Sequence, residues 1–132
     1  MKVKDAPKTA TTIVIRSDRK FSVISSEDPY GALMERLFQD GRTAERGKKF
    51  LTLVKERQEN GNPLRASEWK EIIKTLDISH SSFYAMRKKL IGAGMITLKN
   101  GEYRIAGAFS RDLYDMARWW WTVVCGNDID TL

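Results

Sequence analysis

At 132 residues the chain is long enough for one domain with its own core and too short for two ordinary ones. Its 23 Lys and Arg outnumber 17 Asp and Glu, a net charge of +6 that favours an anionic partner, nucleic acid first. One cysteine, Cys125, and one histidine, His80, exclude an intrachain disulfide and a Cys/His zinc cluster, so no metal or cofactor is expected.

Residues 1–11, with Lys2, Lys4, Lys8 and Pro7 among small polar residues, read as a flexible basic tail. "MKVKDAPKTATT" has no apolar block behind its lysines and no apolar run is long enough for a bilayer, so neither a secretory signal nor a membrane span is expected. The expected location is the cytoplasm, in association with the nucleoid. In "TIVIRSDRKFSVIS" β-branched and aromatic residues alternate around a turn-like centre, which predicts a hairpin with strands near 12–16 and 20–25. A short amphipathic helix follows, capped by Asp28, with Pro29 in its first turn and Gly41 as its stop. Thr43 is read as opening a second helix, with Gly47, Phe50, Leu51 and Val54 on one face and Gly61 at its close.

The segment from Asn62 onward is more specific. Ser67 is placed to cap a helix whose Trp69, Ile72, Ile73 and Leu76 form an apolar face directed at the core. Asp77-Ile78-Ser79 then makes a tight turn, and Ser79 caps a second helix with Phe83, Met86 and Leu90 on its inner stripe. Two helices so joined form a helix-turn-helix. In "MITLKNGEYRI", Asn100-Gly101 is a type I′ turn signal, which pairs Lys99 with Glu102, Leu98 with Tyr103 and Ile96 with Ile105.

On these residues, "LDISHSSFYAMRKKLIGAGMI" resembles the helix-turn-helix of winged-helix regulators of the MarR/ArsR type. The resemblance covers about residues 43–105 and implies DNA binding, with helix 79–92 in the major groove and the hairpin as a wing. The fold class expected is α+β, mainly α: a winged helix-turn-helix with an N-terminal β-hairpin and a C-terminal helix. Its parts are the tail 1–11, a hairpin and short helix over 12–41, the winged helix-turn-helix over 42–106, and a Trp-rich helix and tail over 107–132.

At about 100° per residue, burying Phe83, Met86 and Leu90 turns Ser81, Tyr84, Ala85 and Lys88 outward, with Lys89 at the flank. Ser and Lys reach base edges and Ala85 suits a thymine methyl, while Arg87 and Lys89 lie nearer the phosphates. His80, Ser82, Lys99 and Arg104 complete the expected DNA-binding set. Between Ile78 and Arg104, Arg87, Lys88, Lys89, Lys99 and Arg104 stand against Glu102 alone, a local balance of five minus one, +4. No phosphate loop, paired catalytic carboxylates or nucleophile elbow is present, so an enzyme is not expected.

The last helix, in "FSRDLYDMARWWWTVVCG", is read as capped by Ser110 and stopped by Gly126. Leu113, Met116, Ala117, Trp120, Val123 and Val124 share one face, widened by Tyr114 and Trp121 on one side and Trp119 on the other. That face is broader than one domain covers. Homodimerisation is the expectation, with Leu113, Tyr114, Ala117, Trp119, Trp120, Trp121 and Val124 at the interface, Trp120 facing its own domain and Trp119 or Trp121 reaching across. The expected function is a homodimeric, sequence-specific double-stranded-DNA-binding transcriptional regulator. A replication or partition accessory protein that marks a DNA site, and a winged-helix adaptor that binds another protein, are the alternatives.

Overall fold

The computed structural model describes residues 11–17 and 22–132. Helix α1 (Pro29–Phe38) starts where the Asp28 carboxylate accepts the Gly31 N–H at 3.1 Å and Pro29, with no N–H to leave unpaired, fills the first position. It ends at Gln39, in the left-handed conformation. Gly41 is therefore not its stop. It is the first residue of α2 (Gly41–Glu59), which Asp40 caps three residues ahead of the expected opening at Thr43. The Asp40 carboxylate accepts from the Arg42 and Thr43 N–H groups and from the Thr43 hydroxyl, so α2 needs no start at Thr43. The two helices approach closely: a Cβ on Gly47 would lie 2.7 Å from the Phe38 ring.

Ala44, Phe50, Leu51 and Val54 form the buried stripe of α2. They share one core with Met34, Leu37 and Phe38 of α1 and with Leu64, Ile72, Leu76, Ile78, Phe83, Met86, Leu90, Met95, Ile96 and Tyr103. At its centre the Phe50 ring meets Phe83 and Tyr103 edge-on at 5.2 and 5.3 Å, the favoured geometry for aromatic quadrupoles.

A 3₁₀ turn over Ala66–Glu68 runs directly into α3 (Trp69–Leu76). Ser67 lies inside that turn instead of capping a helix, because the Glu68 carboxylate reaches back to the Arg65 N–H at 2.8 Å. Glu68 is also held by Arg57 of α2, and these two contacts, the Arg65 N–H first, lower its pKa below the ordinary carboxyl value. Asp77, left-handed at φ 51°, ends α3. Arg46 of α2 donates to the Asp77 carbonyl, Ile78 turns into the core, and the Ser79 hydroxyl accepts the Ser82 N–H to open α4 (His80–Gly92).

Strands β1 (Ile96–Lys99) and β2 (Glu102–Ile105) pair antiparallel in the register read from the sequence, around Asn100 and Gly101 at φ 53° and 74°. The second edge of β2 is covered as well. Tyr103 N–H donates to the Leu64 carbonyl, Ala66 N–H to the Gly101 carbonyl, and Ile105 N–H to Gln58 Oε1, each at 2.8 Å. Helix α5 (Ala108–Trp119) begins after Gly107, two residues before the expected Ser110 cap, and continues as a π-helical turn over Trp120–Val124. Gly126, at φ 71°, follows its end. The described residues are thus mainly helical, with one small antiparallel sheet among them.

The N-terminal hairpin is corrected. Residues 12–16 are irregular and 23–25 form a turn, while residues 1–10 of the basic tail and 18–21 lie outside the described residues. Val14 N–H donates at 2.9 Å to the Arg36 carbonyl near the end of α1, so the backbone here takes a helix end as partner instead of a strand. Ile15 and Ile24 are 79% and 91% exposed, which leaves their alternation no sheet face to line. Among the described residues no helix is long and apolar enough to cross a membrane.

Candidate nucleic-acid interface

Helix α4 buries Phe83, Met86 and Leu90, and its pitch then fixes what it presents. Ser81, Ser82, Tyr84, Ala85, Lys88 and Lys89 are exposed, as is His80 at the first position, and Arg87 is half-buried. Among the described residues no carboxylate lies within ion-pair reach of Lys88, Lys89 or Lys99. Lys89 sits 5.9 Å from the Phe38 ring, which leaves its ammonium in water over an aromatic edge of the core.

The hairpin sets a different electrostatic pattern. Arg104 is paired with Glu102 at 3.1 Å, and Arg65 holds the other oxygen of the same carboxylate at 3.1 Å. Glu102, the acid expected to oppose the local positive charge, is therefore shared by two cations. Lys99, beside the turn, is exposed. The expected DNA-binding residues thus fall into an exposed basic face on α4, with Lys99 at the hairpin tip and Arg104 in a salt bridge.

Three contacts were hidden from the sequence. Arg87 Nη1 donates to the hydroxyl of the buried Tyr103 at 2.9 Å, which ties α4 to β2. The Arg87 guanidinium also lies 4.2 Å from the Tyr84 ring. Trp69, expected in the core, is half-buried and stacks on His80, with ring centroids 4.3 Å apart and planes 20° from parallel. Ile72 and Leu76 are the buried stripe of the short α3; Trp69, near its start, reaches the rim, where the first residue of α4 covers it. Ten residues lie between Trp69 and His80, and no periodicity links positions on two different helices.

The C-terminal helix departs furthest from expectation. Phe109 packs against the core and its N–H donates to the Gly94 carbonyl at 3.0 Å. No residue of α5 or of the turn after it is buried. Trp120, expected to face its own domain, is 58% exposed and Trp119 57%. Tyr114, Met116, Val123 and Val124 are exposed as well, Ala117 is exposed, and Leu113 is half-buried. The reason is the point of attachment: the helix is anchored through its first turn, where Phe109 packs against the core and Ala108 lies against Gly94. Trp121 is turned to its own tail, where its indole N–H donates to the Asp128 carbonyl at 2.8 Å and to Thr131 Oγ1 at 3.2 Å.

Among the described residues no group of three or more His, Cys, Asp or Glu side chains could hold a metal ion.

This mainly helical α+β chain belongs to an archaeal protein family, whose sequence profile matches residues 27–126, from just before α1 to the end of the Trp-rich helix. No curated protein and no solved structure matches it.

Proposed function

We propose that the chain is a double-stranded-DNA-binding protein of the winged-helix kind, most simply a homodimeric transcriptional regulator, with α3 and α4 as the helix-turn-helix and β1–β2 as the wing. The observation that carries this reading is the exposed face of α4. Ser81, Tyr84, Ala85, Lys88 and Lys89 stand together on a helix backed by the core and joined to α3 by a three-residue turn. That combination of short polar, small apolar and basic side chains suits base edges and phosphates of a major groove. The strand-like pairing of residues 64–66 with β2 and the Arg87–Tyr103 hydrogen bond support it further, because they tie the hairpin to the segment leading into α3 and to α4, as a wing requires.

The dimer part of the proposal rests on α5. Its half-exposed indoles, phenol and aliphatics offer roughly 600–800 Å² of apolar surface, taking about 150–250 Å² for each full aromatic side chain. A standard interface takes about 800 Å² from each partner, and a monomer's largest apolar patch is commonly about 300–600 Å². A second copy of α5 is the occupant that matches this surface in size and chemistry, and two-fold pairing would carry two copies of α4 to an inverted repeat.

Selection from random duplex DNA, read by gel shift at low salt, is the test. Recovery of a palindromic sequence supports the reading, and no enrichment would remove the specific DNA role. The exposed α5 also favours a second reading, an adaptor whose tryptophan face docks on another protein. A monomer by light scattering at micromolar concentration, together with no enriched duplex, would favour that alternative.

A further inference from the structure

Five side chains on α3 and α4 form one continuous stack. Lys70 Nζ lies 5.5 Å from the Trp69 ring, Trp69 stacks on His80 at 4.3 Å, and His80 meets Tyr84 at 4.5 Å. Arg87 closes the series 4.2 Å from the Tyr84 ring. The rings of Trp69, His80 and Tyr84 are thus all engaged by members of the stack, and both ends carry a cation. A platform for unpaired bases needs open ring faces and alternating free cations. This stack is instead occupied by its own chain.

What the stack holds is Arg87. Its guanidinium is fixed from two sides, by the Tyr84 ring and by the hydrogen bond to Tyr103 of β2, so it bridges the recognition helix and the hairpin. One of its five N–H groups is used and four are left. Between a helix in the major groove and a wing beside it runs the sugar-phosphate backbone. A guanidinium held rigidly at that position meets a phosphate without first losing side-chain freedom.

We propose that Arg87 is a pre-set phosphate clamp between α4 and the hairpin, and that Trp69 and His80 are positioning residues that act on DNA through Tyr84 and Arg87 without touching it. This rests on the DNA-binding reading and adds to it a residue hierarchy. Lys88 and Lys89 are exposed charges with no acid partner among the described residues, whereas Arg87 fixes the register of the helix on the backbone.

The test has a part without DNA and a part with it. His80 is the single histidine, so its imidazole proton resonances are unambiguous. Ring currents from Trp69 and Tyr84 shift them upfield, and Trp69→Ala removes the Trp69 share while Trp69→Phe keeps part of it. Unshifted His80 resonances in the wild-type protein overturn the stack itself. With duplex recovered by selection, Arg87→Ala lowers affinity and cuts the slope of log K against log salt by about 0.9, one phosphate contact. Arg87→Lys keeps the charge and recovers the slope but not the affinity, since the ammonium is not held by the ring.

Trp69→Ala weakens binding about fivefold to tenfold, the scale of one cation–π contact, and Trp69→Phe restores most of it. In the Arg87→Ala background Trp69→Ala has no further effect. Additive losses there, with both variants melting cooperatively, overturn the positioning role. Should Trp69→Ala fail to fold, Trp69→Leu, which keeps apolar volume but removes the ring, replaces it in the same cycle. A wild-type protein that binds no duplex at low salt but shows shifted His80 resonances removes the DNA reading, and the clamp with it, while leaving the stack in place.

Discussion

Single residues decide how charge is used on this surface. Lys88 and Lys89 are exposed and have no acid partner among the described residues, so their charge is available to a polyanion. Replacing both by Ala is expected to reduce the slope of log K against log salt by roughly 2, at about 0.9 per phosphate. Salt titrations of both proteins on the same duplex provide the check, and an unchanged slope would place the interface elsewhere. Arg104 is the contrasting case, because its partner Glu102 screens it. Gly94 shows the same dependence on a single position for packing. At φ +78°, a Cβ there would lie 2.7 Å from the Phe109 backbone nitrogen. Gly94→Ala should lower stability by about 1–3 kcal/mol through left-handed strain and the clash, read by thermal or urea melting.

Acid stability also resolves to particular residues. Glu68, Asp28 and Asp40 all titrate below the ordinary carboxyl value. The main causes are the Arg65 N–H for Glu68, Lys48 for Asp28 and the Thr43 hydroxyl for Asp40. A depressed folded-state pKa contributes stability that is complete above the unfolded value and is lost as pH falls through the folded one. The contribution of these three carboxylates should therefore be level from neutrality to about pH 5 and fall below about pH 4. Glu68→Gln should flatten part of that acid limb in melts taken from pH 7 to pH 3; an unaltered limb would show that the Glu68 contacts contribute nothing.

At the scale of elements, α4 and the hairpin are the parts whose sequence signals coincide with their structure. Ser79 caps, Phe83, Met86 and Leu90 face inward, and Asn100-Gly101 sets the register, all through local chemistry. Ser79→Ala should cost about 0.5–2 kcal/mol in a melt by leaving the Ser82 N–H unsatisfied. A loss much smaller than that would mean water replaces the cap. Elsewhere local signals competed. Asp40 and Thr43 both suit an N-cap, and Asp40 prevails because its carboxylate takes three donors, including the Thr43 hydroxyl. Ser67 loses to Glu68 for the same kind of reason. The alternation over residues 12–16 needed a strand partner, and the end of α1 supplied a backbone acceptor first. In α5 the apolar pattern was visible, but not which side it turned to the body.

At the scale of the whole molecule, the exposed Trp-rich end bears on association. If the protein pairs through α5 as proposed, replacing Trp119 and Trp120 by Ser should convert that dimer to a monomer in sedimentation velocity, since neither indole is buried within its own chain. The variant should still bind a half-site while losing most of its affinity for an inverted repeat with half-sites about 34 Å apart. Retained dimers would move the interface off α5.

The sequence by itself determined the positions of the helices and of the 96–105 hairpin, the Asp28 and Ser79 caps, the Asn100-Gly101 turn, the buried stripes of α2 and α4 and the basic outer face of α4. Each of these follows from contacts within a few residues along the chain or from a fixed period. Only the tertiary structure decided that Trp69 leaves the core to stack on His80, that Tyr103 reaches Arg87, that residues 64–66 cover the edge of β2, and that the tryptophans of α5 stay exposed. Those outcomes depend on where separate elements meet in space. Periodicity shows that a face is apolar, and only packing shows whether anything covers it.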